Sequence, residues 1–242
     1  MIDRSPSATA ERPVTISSRG EAIEGNLTIP ADARGIVLFA HGSGSSRHSP
    51  RNRFVAKTLN GDGLATLLMD LLTVTEEEYD VVTRRHRFDI GLLAARLLGA
   101  IEWIQHQPET RNLRIGLFGA STGAAAALVA AGRSPDAVGA VVSRGGRPDL
   151  AGEWLSQMTA PTLLIIGGAD EPVIALNEHA FERLRCEKRL EIVPGATHLF
   201  SEPGALEQVA ARAGQWFARH LSGAAIPAQG ISPEVPAAAP EP

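Results

Sequence analysis

Ile115-Gly116-Leu117-Phe118-Gly119-Ala120-Ser121-Thr122-Gly123, continued by Ala124-Ala125-Ala126-Ala127-Leu128-Val129-Ala130-Ala131-Gly132, joins an apolar strand to an alanine-rich segment through a serine between two glycines. Alanine is the strongest helix former and glycine a common C-terminal stop, so the second half reads as a helix closed at Gly132. Strand, tight turn and helix in that order are the elements of a nucleophile elbow. In that device the turn lifts a serine hydroxyl clear of the backbone, and glycines stand where side chains would collide. Five residues alone would equally suit an ordinary glycine-rich turn, so the flanking chain has to carry the reading.

Outward from this turn, apolar runs alternate with helical patterns. Val14 to Ser18 and Ala22 to Ile29 read as strands paired through a turn at Arg19-Gly20-Glu21. Gly35 to Ala40 is a continuous apolar run of the kind buried on both faces of a parallel sheet, and Ala65 to Asp70 is another. Between and after them, Arg51 to Leu59 and Phe88 to Gln105 carry apolar residues at helical spacing. Beyond the turn the alternation continues: strand Ala137–Ser143, short helix Leu150–Met158, strand Pro161–Gly167, helix Ile174–Leu184, strand Arg189–Val193 and helix Ala205–Leu221. Repeated β-α units imply an α/β fold with a mostly parallel central sheet and helices on both faces. No linker divides residues 13–221, which therefore read as one domain; the polar residues 1–12 are expected to be a flexible N-terminus, and the Ala/Pro-rich residues 222–242 a disordered tail.

Composition narrows the classes of function. The chain has 242 residues, of which 44% are hydrophobic and 21% charged, an ordinary globular balance. A net charge of −4 gives no electrostatic case for binding nucleic acid. The single cysteine, Cys186, excludes an intramolecular disulfide and fits a reducing cytoplasm. The N-terminus lacks the apolar core of a signal peptide, and Leu64–Leu72 is too short and too interrupted to span a bilayer. The expected partner is therefore a small molecule; the oligomeric state stays open.

In a parallel sheet of this kind, reactive groups gather beyond the carboxyl ends of the strands. A serine hydroxyl needs a base to take its proton, and the base needs an acid to fix its tautomer. When the elbow serine comes first in the chain, acid and histidine follow it in that order. His179 and His220 fall in helical patterns, whereas His198 lies in the loop Pro194-Gly195-Ala196-Thr197-His198 after a strand. Asp170 ends the strand-loop Leu163 to Asp170, with Glu171 as the alternative carboxylate and Asp149 as a weaker one. After Ala40, the small residues of His41-Gly42-Ser43-Gly44 would let backbone amides approach a substrate oxygen. The expected oxyanion donors are the N–H groups of Ser43 and Thr122. No His-x-x-x-His pattern and no phosphate-cradling Gly-Lys-Ser/Thr loop is present, so neither a metal nor an organic cofactor is expected.

Together, His41-Gly42-Ser43-Gly44, Gly119-Ala120-Ser121-Thr122-Gly123, Gly167-Gly168-Ala169-Asp170 and Gly195-Ala196-Thr197-His198 resemble the signatures of a small α/β-hydrolase without a large cap domain. Within that superfamily the chain is similar to dienelactone-hydrolase-like proteins over roughly residues 13–221, and also to hydrolase-like domains found beside phosphoribosyltransferase domains in some bacterial proteins. Dienelactone hydrolases proper carry cysteine at the elbow, where this chain has Ser121. The resemblance therefore implies a serine hydrolase acting on an ester, lactone or related acyl bond, with Ser121, His198 and Asp170 as catalytic residues. A perhydrolase or acyltransferase using the same groups, or a non-catalytic binding protein on the same fold, are the alternatives.

Arginines at strand ends could hold a substrate carboxylate or phosphate. Arg144 and Arg147 are the candidates after one strand, and Arg47, His48, Arg51 and Arg53 follow the first glycine loop. Salt bridges to Asp149 or Glu153 would account for the first two equally well. Thr73 to Arg87, with Glu76-Glu77-Glu78 and Arg84-Arg85, reads as a solvated loop with room to act as a partial cover.

Overall fold

The protein, described here by a computed structural model over residues 10–223, is built on an eight-stranded sheet. The strands are β1 (Arg12–Ser18), β2 (Glu21–Thr28), β3 (Ile36–Ala40), β4 (Ala65–Met69), β5 (Ile115–Ala120), β6 (Val138–Arg144), β7 (Thr162–Gly167) and β8 (Lys188–Val193). They lie in the order β1-β2-β4-β3-β5-β6-β7-β8. The β1/β2 and β2/β4 pairs are antiparallel and every later pair is parallel. The first two strands alternate buried and exposed residues, as a sheet edge wetted on one side should. By contrast β3, β4, β5 and β7 are buried throughout, because helices cover both faces. Arg19 and Gly20 both adopt positive φ, closing the β1–β2 hairpin.

Helices α1 (Pro50–Gly61) and α7 (Ala205–Leu221) cover one face, packing Val55, Leu59, Val209 and Phe217 on Val37, Phe39 and Phe118. The opposite face carries α3 (Ile90–His106), α4 (Thr122–Arg133) and α6 (Glu171–Arg183). The alanine run has a structural reason. Helix α4 lies under α3 and against the central strands, with every residue from Thr122 to Ala131 buried, and small side chains permit that approach.

Two segments differ from the sequence expectation. Val74–Thr83 is a helix, α2, rather than a loop: Thr73 Oγ1 accepts from the Glu76 N–H while the Glu76 carboxylate accepts from the Thr73 N–H, closing a capping box. The expected helix Leu150–Met158 is split into a 3-10 turn, Pro148–Ala151, and a short helix α5, Trp154–Gln157, because Gly152 takes φ 58°. The N-terminal stretch 1–9 and the residues of the expected disordered tail beyond Gly223 lie outside the described residues. Among the described residues, no helix is long and apolar enough to cross a membrane.

Gly116 on β5 makes room for Phe217: a Cβ there would sit 2.6 Å from the ring. Phe217→Ala is expected to cost about 3–5 kcal/mol of stability by emptying a fully buried ring site, read as a lowered urea midpoint at unchanged m-value.

Candidate active site

Ser121 separates β5 from α4 with φ 52° and ψ −123°, a conformation side-chain-bearing residues rarely adopt. Its surroundings explain how it is held. A Cβ on Gly123 would meet the Ala40 and His41 carbonyl oxygens at 2.3 and 2.4 Å, and one on Gly119 would meet Ala124 Cα at 2.4 Å. Backbone therefore crosses backbone at contact distance, and only glycine fits. The Ser121 carbonyl accepts from the Arg147 N–H at 3.1 Å, and the Ser121 N–H donates to Arg144 O at 3.3 Å, tying the turn to the end of β6.

The other strand ends converge on the same side. Asp170 follows β7 as the residue before α6, and its Oδ2 accepts from Nδ1 of His198 at 2.7 Å. A carboxylate can only accept, so Nδ1 carries the proton and the lone pair resides on Nε2. Glycine again sets the spacing. A Cβ on Gly167 would lie 2.3 Å from Ala196 O, the Ala169 N–H donates to that same oxygen, and Gly145 leaves space beside His198 Nδ1. Ser121 and His198 both line a cavity of about 180 Å³, together with Gly42, Ser43, Arg51, Asn52 and Arg144. Glu171 lies in the first turn of α6, and Asp149 is bound by Arg147, so neither takes the place of Asp170 against His198. His179 lies within α6 and His220 within α7.

The two expected oxyanion donors are in different states. Thr122 opens α4, where a helix N–H has no intrahelical acceptor. The Ser43 N–H, however, donates to Thr122 Oγ1 at 3.1 Å, and the two hydroxyl oxygens lie 2.9 Å apart. Ser43 is thus held against the elbow by the threonine side chain, and its amide must be shared or released for a substrate oxygen. His41 supports this loop in a way that sequence reading missed. Its buried ring contacts Gly42 O through Nδ1 at 2.9 Å and accepts from the Leu71 N–H at Nε2 at 3.1 Å. Nδ1 is therefore the protonated nitrogen and donates to Gly42 O, turning the N–H of the following residue the opposite way. Burial pushes the His41 pKa below its ordinary 6.5, against opposing pulls from the Gly42 carbonyl, Asp70 and Glu77.

The arginines separate by partner. Arg147 grips Asp149 through two bonds of 2.8 and 2.7 Å, Arg47 pairs with Asp70, and Arg53 lies 3.3 Å from Glu11. Arg144 and Arg51 form no ion pair among the described residues. Arg144 is buried, its Nε and Nη1 have no hydrogen-bond partner among the described residues, and its guanidinium carbon stands 5.9 Å from the centroid of the Phe200 ring. Burial, and then the Arg51 charge, lower its pKa to about 10, which leaves it cationic at neutral pH. Arg51 and the buried Asn52 belong to the first turn of α1, behind the Ser49 cap, so the helix N-terminus adds positive potential to the same cavity.

Because His41 is neutral when folded and would protonate below pH 6.5 when unfolded, the stability tied to it is complete above that value and declines as pH falls below it. His41→Gln should flatten that acid limb, measured as a smaller drop in urea midpoint between about pH 7.5 and about pH 5.5.

Comparison with known proteins agrees with this architecture. The sequence pattern of the Dienelactone hydrolase family matches residues 23–222. A crystal structure of a dienelactone hydrolase from Anabaena variabilis is 60% identical, with TM-score 0.87, over 88% of this chain and 99% of that one. Est1E from Butyrivibrio proteoclasticus shares the fold at 17% identity and TM-score 0.72, over 86% of this chain and 98% of its own. Proteins of Mycobacterium tuberculosis whose provisional name is phosphoribosyl transferase are 58% identical over 201 residues, which are 83% of this chain but 44% of their length. The chain thus spans less than half of those relatives.

Proposed function

The chain belongs to the dienelactone hydrolase family, and from that premise we propose that it is a serine hydrolase cleaving a carboxylic ester or lactone through an acyl-enzyme. The observation that carries the proposal is the 2.7 Å Asp170–His198 contact in the loops facing a strained, glycine-flanked serine. In the reaction, His198 Nε2 takes the Ser121 proton as Oγ attacks the carbonyl, and Asp170 stabilises the imidazolium that forms. The Thr122 N–H and the Ser43 N–H, the latter exchanged from the Thr122 hydroxyl, receive the oxyanion. His198 then returns the proton to the leaving alcohol, and water, deprotonated by the same nitrogen, releases the acid. Serine in place of a thiol makes the base more necessary, since a hydroxyl is scarcely ionised at neutral pH.

The unpaired Arg144, with Arg51 beside it, supports a substrate that carries an anionic group close to the scissile carbonyl. Leaving a buried cation unpartnered is costly, and an incoming carboxylate or phosphate would supply the missing acceptors. Arg147 has its carboxylate already and is assigned to fixing the turn before α5. The relatives named as phosphoribosyl transferases extend well beyond the matched residues, which make up 44% of their length.

A fluorophosphonate probe is expected to label the wild type and not Ser121→Ala, with ester turnover in the variant falling by about 10⁴-fold or more; persistent labelling would remove Ser121 from the role. Arg144→Ala should cut the preference for a hemisuccinate over an acetate ester of the same alcohol by about tenfold, whereas Arg147→Ala should leave that ratio unchanged.

A further inference from the structure

The cavity at Ser121 is small. Its volume of about 180 Å³ corresponds to ~6 water volumes, room for the reacting carbonyl and a short arm but below the ~300 Å³ at which pockets begin to enclose drug-sized ligands. A second cavity of about 550 Å³ lies on the far side of the His41–Gly44 loop, between the start of α1 and the first turns of α2. The two share Ser45 and Ser49 in their walls and so meet at the start of α1. The larger cavity therefore adjoins the one that holds Ser121.

The outer cavity differs in chemistry from the inner one. Leu72, Val74 and Pro50 give it apolar wall, and Asp70 there is neutralised by Arg47. Glu77 and Glu78 also line it, and neither forms an ion pair among the described residues. The inner cavity has unpaired cations and the outer one unpaired carboxylates, so a substrate spanning both would be charged unevenly along its length.

We infer that the outer cavity is the leaving-group subsite, and that the substrate is an ester joining a short anionic acyl group to a bulky alcohol that is neutral or cationic. This inference rests on the ester-hydrolase reading of Ser121. Enclosure of the alcohol between α1 and α2 supplies binding energy remote from the reacting carbonyl, which is the energy an enzyme uses to hold that carbonyl at the nucleophile. The carboxylates disfavour an alcohol bearing its own negative charge. Helix α2 is the wall that sets the size limit, and exposed Val74 at its first position stands on the rim.

The test compares hemisuccinate esters of methanol, 2-naphthylmethanol, choline and 3-hydroxypropanesulfonate on the full-length protein. The wild type is expected to favour the naphthylmethyl and choline esters over the methyl ester by about tenfold or more in kcat/KM, and to turn over the sulfonate ester worst. Val74→Trp should lower the naphthylmethyl-to-methyl ratio by about tenfold, and Glu77→Gln with Glu78→Gln should raise the sulfonate-to-choline ratio. A wild-type ratio near unity, or a Val74→Trp loss equal on both alcohols, would overturn the subsite while leaving the hydrolase reading intact. Failure to hydrolyse even the methyl ester, together with absence of fluorophosphonate labelling at Ser121, would overturn both.

Discussion

The crossing of Gly123 under the carbonyls of Ala40 and His41 is the constraint on which the rest of the site depends. It fixes how closely the end of β3 approaches the start of α4, and so brings the Ser43 loop over the serine. A Cβ at that crossing would overlap backbone oxygens, which cannot swing aside as a side chain can. The same device recurs at Gly167 beneath Ala196 and Thr197, where it fixes the distance from the acid loop to the histidine loop. Two glycine crossings thus position four loops. The strain at Ser121, of the order of 1–3 kcal/mol for such a conformation, is offset by the full burial of α4 behind it.

Buried charges elsewhere show how the fold ordinarily treats them. Asp80 is fully buried but accepts from the His86 and Arg87 N–H groups and from the Arg87 guanidinium. Arg96, equally buried, donates to Ser18 O and to Glu76. These pairs lock α2 and its exit loop to α3 and β1. Arg144 departs from that practice, keeping only an aromatic neighbour, and it does so beside Ser121. A buried cation with no carboxylate partner among the described residues, in a protein that pairs Asp80 and Arg96, fits the anionic group proposed for the substrate.

Much of the fold was legible because parallel strands covered on both faces must be apolar throughout, and β3, β4, β5 and β7 stand out as such runs. The loops bearing Ser121 and Asp170 were legible for the same reason, each following one of those strands; β8 is partly exposed, and the His198 loop was legible because the other late histidines, His179 and His220, fall in helical patterns. Helix α2 was obscured by its own solvation: Glu76-Glu77-Glu78 and the exposed Val81 and Val82 give no core-facing stripe. Its Thr73-x-x-Glu76 capping box was the available signal. Arg144 and Arg147 could not be separated from sequence, since one ends β6 and the other lies in the turn just after it. Only the fold determines that Asp149 turns back onto one of them while the other points towards Arg51, almost a hundred residues away in the chain.

The same logic explains why His41 matters although it takes no part in the proposed proton transfers. An amide donor is useful only if its peptide plane is fixed before charge develops, because reorienting a dipole during the reaction forfeits the advantage over water. Gly42 has no side chain to hold its peptide, and Gly44, at φ 66°, adds further freedom to the loop. His41 removes that freedom from one end by binding Gly42 O and the β4 exit at Leu71, and the Thr122 hydroxyl removes it from the other by receiving the Ser43 N–H. Because Thr122 itself sits on the helix that Gly123 presses against β3, both ends of the loop are referred to the same glycine crossing. The proposed nucleophile and the amides proposed to receive the oxyanion are therefore set by one packing contact rather than by independent ones.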